Sequence, residues 1–186
     1  TYFFNGGKEK PYPAEDRKLV PSYRVPFDQK PDMSATEITD AVLAELGNYD
    51  FMFINFANAD MVGHTGNFEA TVKAIEVLDA CIAKIKQKVD ELGGVLVITA
   101  DHGNAEEKRY RITGEPRTKH SSNPVPFYLI SSQFRRAEAR TQEEINERMA
   151  QAEGVLSDIG PTVLDLMGLA VPSEMTGINL LPRLLV

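Results

Sequence analysis

The sequence predicts an α/β fold with a mostly parallel sheet flanked by helices. Two short, nearly continuous apolar runs, 51–57 (FMFINFA) and 95–100 (VLVITA), have the length and composition of strands that are covered on both faces. A long segment with helical periodicity separates them, and a strand, a crossover helix and a second strand normally form a right-handed parallel unit. With 186 residues and 42% hydrophobic content, the chain is long enough for one domain around a single core.

The start of the chain predicts an arm followed by a helix. Residues 1–33 begin with the strand-like TYFF and are then rich in proline and charge, which indicates an extended arm ahead of an α/β core over 34–186. Ser34 and Glu37 have the spacing of a capping box, and apolar residues recur behind them at helical spacing until Gly47. This pattern predicts a short amphipathic helix.

The remaining elements follow from periodicity and helix-ending residues. Asn67 is placed to cap a long helix, in which apolar residues recur in steps of three and four until Gly93. Three further elements are predicted: a strand over 125–132 (VPFYLISS), a solvated helix over 141–152, and a short buried helix over 159–169 with Pro161 in its first turn.

Composition excludes several classes of protein. The 27 acidic residues outnumber the 20 basic ones and give a formal charge of −7, which argues against a nucleic-acid partner because such proteins present a basic face. No apolar run approaches the ~20 residues of a membrane-spanning helix, so no membrane association is expected. The single cysteine, Cys81, lies in the apolar repeat of the long helix, which predicts a packed thiol and a reducing, cytoplasmic environment.

Two aspartates and all three histidines lie next to the predicted strands. Asp60 and His64 follow the first strand, Asp101 and His102 follow the second, and His120 precedes the third. Ligands of open α/β sheets gather outside the carboxyl ends of the strands, so these side chains are expected at one edge. A mixture of imidazole and carboxylate suits Zn²⁺ or Mn²⁺ better than Ca²⁺. The sequence therefore predicts a metal site.

Each of these motifs has a simpler interpretation when it is taken alone. Asp101 could cap the following segment, His102 could be a hydrogen-bonded surface imidazole, and His120 could be an exposed loop histidine. Their convergence favours metal binding. Five ligands are too many for one catalytic ion with an open position and too few for two complete sites, and two ions roughly 3.5–4 Å apart form a clamp for phosphoryl chemistry.

Four segments carry a resemblance to a known family: NFANADMVGHTGNFEATVKAIE, ITADHGNAE, TKHSSNPVPF and LSDIGPTVLDLMGLAVPSEMTG. In order and in relative position they resemble the C-terminal part of the phosphatase domain of the cofactor-independent (2,3-bisphosphoglycerate-independent) phosphoglycerate mutases, which belong to the alkaline phosphatase superfamily. The resemblance implies an alkaline phosphatase-like fold, present here as a partial domain over 1–186. It also implies a cytoplasmic isomerase of glycolysis and gluconeogenesis that interconverts 3-phosphoglycerate and 2-phosphoglycerate through a phosphoserine.

The resemblance further implies two divalent ions. Asp60, His64 and His120 would hold one ion, and Asp101 and His102 would hold the second; Mn²⁺ is the expected metal, with Zn²⁺, Co²⁺ and Mg²⁺ as alternatives. No serine of this chain matches the family's nucleophile, so no catalytic residue is assigned. The inserted transferase domain that binds the phosphoglycerate has no counterpart either. The expectation is therefore a fragment, inactive alone, of an enzyme that is monomeric when intact.

Two alternatives stay open. Another enzyme of the same superfamily, such as a phosphopentomutase or a phosphate-ester hydrolase, would share the Asp-His pair and the DxxxH pattern, although NPVPF and EMTG favour the mutase. The other alternative is a non-catalytic metal-binding or interaction module. Residues 133–154 are longer than the linker that the family usually has at this position, which indicates a lineage-specific loop.

Overall fold

A computed structural model describes residues 4–185 of the chain. These residues form two compact units, one comprising the chain up to residue 88 together with 104–119, and the other comprising 89–103 and the chain from residue 120 onward. The organisation of 1–186 as one domain, with an arm over 1–33 and a core over 34–186, stays a prediction. No helix of residues 4–185 is long and apolar enough to span a bilayer.

The first unit contains the helices α1, α2 and most of α3. Their bounds are Ala35–Glu45 for α1, Asn58–Gly63 for α2 and Phe68–Glu91 for α3. The long helix is confirmed, and so is its cap, because the Asn67 side chain accepts a hydrogen bond from the Ala70 N–H at 3.1 Å. Its end is confirmed as well, since Gly93 adopts the left-handed conformation (φ +68) that glycine tolerates.

The short amphipathic helix is confirmed as α1, but its predicted capping box is wrong. Ser34 makes no cap hydrogen bond to the helix. Its hydroxyl instead donates to the carbonyl of Pro21 at 2.8 Å, and the Glu37 carboxylate accepts a hydrogen bond from the Tyr23 hydroxyl. Both polar side chains are thus engaged by the arm, which offers partners that the local sequence does not reveal. As predicted, the arm has no helix in its described part, residues 4–33.

The predicted strand over 51–57 is wrong, because this run is neither strand nor helix in the structure. A strand requires the hydrogen bonds of a neighbour, and no ladder forms here within residues 4–185. Phe53 instead stacks on Phe4, with ring centroids 4.2 Å apart, and Phe51 is 44% exposed. The first three residues of the strand-like TYFF lie outside the described residues.

The core of the first unit lies where α2 meets the start of α3. Val62 of α2 and Ala70 and Ala74 of α3 are buried together, and Phe27 and Met33 pack against them. Small side chains on α3 allow the short helix α2 to approach closely. This packing fixes α2, the element that carries Asp60. Further along α3, Cys81 is buried as predicted.

The second unit contains a two-stranded sheet. Strand β1 (Leu96–Thr99) pairs with β2 (Phe127–Ile130), so the strands predicted over 95–100 and 125–132 are confirmed. Their pairing is antiparallel, whereas the sequence predicted a mostly parallel sheet. In that prediction, the run over 51–57 is the strand parallel to the one over 95–100. Because that run joins no ladder, the sheet of residues 4–185 has only the antiparallel pair.

Three helices complete the second unit: α4 (Gln142–Met149), α5 (Ile159–Leu166) and α6 (Leu181–Leu184). The solvated helix predicted over 141–152 is confirmed as α4, which lies within the long segment 133–154. The Thr141 side chain and that of Glu144 form a capping box at its start. The short helix with Pro161 in its first turn is confirmed as α5, in which Pro161 is buried.

Candidate metal centre

The short helix α2 places Asp60 and His64 side by side. The N–H of His64 donates to the carbonyl of Asp60 at 3.0 Å, which closes one helical turn and puts both side chains on the same face. His64 Nε2 lies 3.2 Å from Asp60 Oδ1, and both side chains are about one-third exposed (37% and 32%). The predicted spacing of four residues therefore brings an imidazole nitrogen and a carboxylate oxygen together at a surface that solvent reaches.

The other ring nitrogen of His64 fixes the orientation of the imidazole. Nδ1 lies 2.6 Å from the carbonyl oxygen of Thr118. A carbonyl oxygen can only accept, so Nδ1 carries the hydrogen, and in the neutral ring Nε2 keeps its lone pair on the side of Asp60. Metal-binding histidines are typically held in this way, with the second ring nitrogen donating to a carbonyl or carboxylate.

A buried amide supports the Asp60 carboxylate. Asn104 Nδ2 donates to Asp60 Oδ1 at 2.7 Å and to the Asp60 carbonyl at 3.2 Å. Lys108 Nζ in turn donates to Asn104 Oδ1 at 2.6 Å. The sequence analysis did not anticipate either residue. The available signal was the position of Asn104, two residues after His102, but an asparagine in a loop is also common without any such contact.

The second unit gathers the other three predicted ligands. Asp101 and His102 follow β1, with His102 Nε2 3.6 Å from Asp101 Oδ1, and the Asp101 side chain is 89% exposed. The rings of His102 and His120 are stacked, with their centroids 3.7 Å apart. The N–H of Ser121 donates to the Gly103 carbonyl at 2.7 Å, which joins the two loops that carry the histidines. These loops therefore converge within the second unit, as the sequence predicted.

The donor set fits a divalent transition metal. Imidazole nitrogen is a borderline ligand and carboxylate oxygen is a hard one, a mixture that Zn²⁺, Mn²⁺ and related ions accept. Asp60 and His64 form one such pair on a fixed helix, and Asp101 and His102 form another at a strand end. Both pairs are at least partly exposed, so an ion has access to each of them.

Pairs of imidazole and carboxylate of this kind are a donor set that metal-dependent enzymes use. The model of the Metalloenzyme superfamily matches residues 1–171, and the chain belongs to that superfamily. The α/β, alkaline phosphatase-like class predicted from the sequence is thereby confirmed.

The individual relatives are phosphoglycerate mutases. Over 184 residues the chain is 51% identical to the 2,3-bisphosphoglycerate-independent phosphoglycerate mutase of Moorella thermoacetica. Over 186 residues it is 50% identical to 2,3-bisphosphoglycerate-independent phosphoglycerate mutase 2 of Methanosarcina barkeri. Each alignment covers 98% of this chain and 33% of the relative, so the chain spans about a third of the length of these proteins.

A solved structure gives the same result. The crystal structure of Leishmania mexicana phosphoglycerate mutase at low cobalt concentration matches 96% of this chain with a TM-score of 0.78 and 33% sequence identity. The chain covers 34% of that structure. The resemblance inferred from the four motifs is therefore confirmed along nearly the whole chain.

Proposed function

We propose that this chain supplies metal ligands to the phosphoryl-transfer centre of a phosphoglycerate mutase, which interconverts 3-phosphoglycerate and 2-phosphoglycerate. The observation that carries the proposal is the arrangement of His64, whose Nδ1 is fixed by the Thr118 carbonyl while Nε2 lies 3.2 Å from the Asp60 carboxylate. This is how proteins orient a histidine that binds a metal ion. The mutases among the relatives support the choice of reaction.

Asp60, His64 and His120 are the proposed ligands of a first ion. His64 contacts the carbonyl of Thr118, and His120 is only two residues further along the chain. Because consecutive Cα atoms are about 3.8 Å apart, the Cα of His120 can be no more than roughly 7 Å from that of Thr118. This short connection supports including His120 in the proposed ligand set. Asp101 and His102 are the proposed ligands of a second ion.

The two ions, when bound, would supply the positive charge that stabilises a phosphoryl group during its transfer between oxygens. The residues of this chain would hold those charges at defined positions: Asp60 and His64 from one turn of α2, Asp101 and His102 from the end of β1. The phosphoserine step needs a serine as the nucleophile. No serine of this chain matches that position in the family, so the proposed contribution of this chain is metal binding.

The finer assignments belong to the same proposal. Mn²⁺ is the proposed metal, with Zn²⁺, Co²⁺ and Mg²⁺ as alternatives, because the resemblance to the mutase family implies manganese. The proposed substrate is phosphoglycerate, and the proposed setting is a monomeric enzyme of cytoplasmic glycolysis and gluconeogenesis. A buried cysteine that forms no disulfide agrees with a reducing compartment.

A chimeric enzyme would test the proposed reaction. The segment of the Moorella thermoacetica mutase that aligns with this chain would be replaced by residues 1–186, and formation of 2-phosphoglycerate would be followed in the presence of Mn²⁺. We expect turnover in the chimera and its loss when His64→Ala is introduced. A folded, metal-loaded chimera that acts on pentose phosphates or simple phosphate esters, and not on 3-phosphoglycerate, would favour the alternative enzymes of the superfamily.

A further inference from the structure

The amide of Asn104 is clamped between a buried ammonium group and the Asp60 carboxylate. Asn104 is 4% exposed and Lys108 is 6% exposed. Lys108 Nζ donates to Asn104 Oδ1 at 2.6 Å and to the Asn104 carbonyl at 3.3 Å. On its other side, Asn104 Nδ2 donates to Asp60 Oδ1 at 2.7 Å. The three residues form a continuous chain of hydrogen bonds.

The chemistry of the lysine sets the direction of this chain. An ammonium group can only donate, so the oxygen of the Asn104 amide must face Lys108 and its NH₂ group must face Asp60. A carboxylate can only accept, so the contact with Asp60 agrees with this orientation. The ammonium group and the carboxylate therefore select the same orientation of the amide, and Lys108 adds a second anchor by holding the amide oxygen.

The Asn104 amide packs tightly against the backbone of α2. A Cβ on Gly63 would lie 2.8 Å from Asn104 Oδ1, so the amide fits against the helix only because residue 63 is a glycine. Asn104 also binds the Asp60 carbonyl at 3.2 Å, which holds the main chain and the side chain of Asp60 at once. The amide therefore fixes both the position of the turn and the rotation of the carboxylate.

We propose that Asn104, oriented by Lys108, is a positioning residue that holds Asp60 in the rotamer that binds a divalent cation beside His64. This inference rests on the proposed metal-binding function. Partners that orient a metal ligand typically contribute about 10–100-fold to metal affinity. Lys108 reaches Asp60 through this amide, and its charge also acts on Asp60 directly. A positive charge beside a cation site opposes binding, so a loss of affinity on removing the ammonium group is carried by Asn104.

Calorimetric titration of the 186-residue chain with Mn²⁺ tests the proposal. Asn104→Ala is expected to weaken binding about 10–100-fold. Lys108→Met, which keeps the apolar stem and removes the ammonium group, is expected to weaken it by a similar factor. The double variant is expected to lose no more than Asn104→Ala alone. Thermal unfolding without metal shows whether each variant is folded. If Asn104→Ala does not fold, the Mn²⁺ affinity of Lys108→Met alone tests the proposal.

Thr162→Ala is the matched control, because it also removes a fully buried polar side chain but lies in the other compact unit. It should lower thermal stability and leave Mn²⁺ affinity unchanged. Wild-type affinity in a folded Asn104→Ala or Lys108→Met variant would overturn the proposal, as would additive losses in the double variant. If His64→Ala abolishes binding while Asn104→Ala does not, only the positioning role fails. If the wild-type chain binds no Mn²⁺, the proposed function fails and the positioning role fails with it.

Discussion

Gly177 lies directly against the carbonyl oxygen of Ser157: a Cβ on Gly177 would fall 2.0 Å from that oxygen. The contact is with backbone, which cannot move aside as a flexible side chain can. Gly177→Ala should therefore lower the free energy of unfolding by about 1–3 kcal/mol, the usual cost of overpacking. Urea unfolding followed by circular dichroism measures this change.

Gly160→Ala provides the matched control in the same unit. Gly160 lies within α5, and a Cβ there would meet nothing closer than Met175 Cε at 3.6 Å, an ordinary van der Waals distance. Alanine is favoured over glycine inside a helix by about 0.5–1 kcal/mol, so this variant should be slightly more stable than the wild type. Equal effects of the two substitutions would contradict the steric explanation for Gly177.

The fold should lose stability in acid because of the Asp158 carboxylate. Hydrogen bonds from the N–H groups of Val155 and Ile178 lower the pKa of Asp158 below its ordinary value. The ionised form is thus favoured by folding, so its contribution is fully present above about pH 3.9, the unfolded pKa. The contribution is lost as the pH falls through the folded pKa.

Urea unfolding of the wild type and of Asp158→Asn between pH 7 and pH 2 checks this sign. Asparagine keeps the shape of the side chain and removes its charge. The variant should be less stable than the wild type at neutral pH, and the difference should shrink below about pH 4. A difference that stays constant over the whole range would show that the charge of Asp158 has no part in it.

Removal of the buried Thr162 hydroxyl should lower the free energy of unfolding, because this hydroxyl makes two hydrogen bonds. Its Oγ accepts a hydrogen bond from the Leu180 N–H at 2.9 Å and donates to the Asp158 carbonyl at 2.7 Å. Thr162→Val keeps the shape and leaves the buried N–H of Leu180 without this acceptor, which should cost about 1–3 kcal/mol. Thr162→Ser retains the hydroxyl and should lose much less. Chemical denaturation of both variants gives the comparison, and equal losses would show that the hydroxyl matters no more than the methyl group that Thr162→Ser removes.

Local sequence predicted the elements whose stability is itself local. The apolar repeat of α3, the cap at Asn67 and the ending at Gly93 all belong to one helix, and the structure contains all three. The strand predicted over 51–57 is wrong, because a strand needs a neighbouring strand and the apolar pattern does not specify one. The cap predicted at Ser34 is wrong, because its hydroxyl donates to the carbonyl of Pro21, a residue 13 positions away.

The sequence pointed to the histidines and aspartates of the candidate site and not to the residues that contact Asp60. Histidines and aspartates together offer the mixed donor set that transition metals accept, so their pattern predicts metal chemistry from the sequence. Asn104 and Lys108 are different, since both residue types are common on surfaces and only their burial shows what they do. The spacing of Asp60 and His64 fits a helical turn or a tight loop, and the structure has the helical turn, α2.

The chain alone should not interconvert the phosphoglycerates. The proposed transfer through a phosphoserine needs a serine as the nucleophile, and the sequence analysis assigned that role to none of the serines in this chain. A coupled assay with 3-phosphoglycerate and Mn²⁺, on protein shown to be free of host mutase, should give the background rate. Turnover above that background, abolished by substitution of one of the serines in this chain, would show that the nucleophile lies within these residues.

The proposed division of ligands predicts that the two stacked histidines contribute unequally to metal binding. The first ion would have Asp60, His64 and His120 from this chain, a number sufficient for an open catalytic site, whereas the second would have only Asp101 and His102. Calorimetry with Mn²⁺ should therefore approach one bound ion per chain. His120→Phe should remove most of the affinity and His102→Phe much less, and phenylalanine retains an aromatic ring for the stack, whose centroids are 3.7 Å apart. Two equally tight ions, or a larger loss from His102→Phe, would require a different division of the ligands.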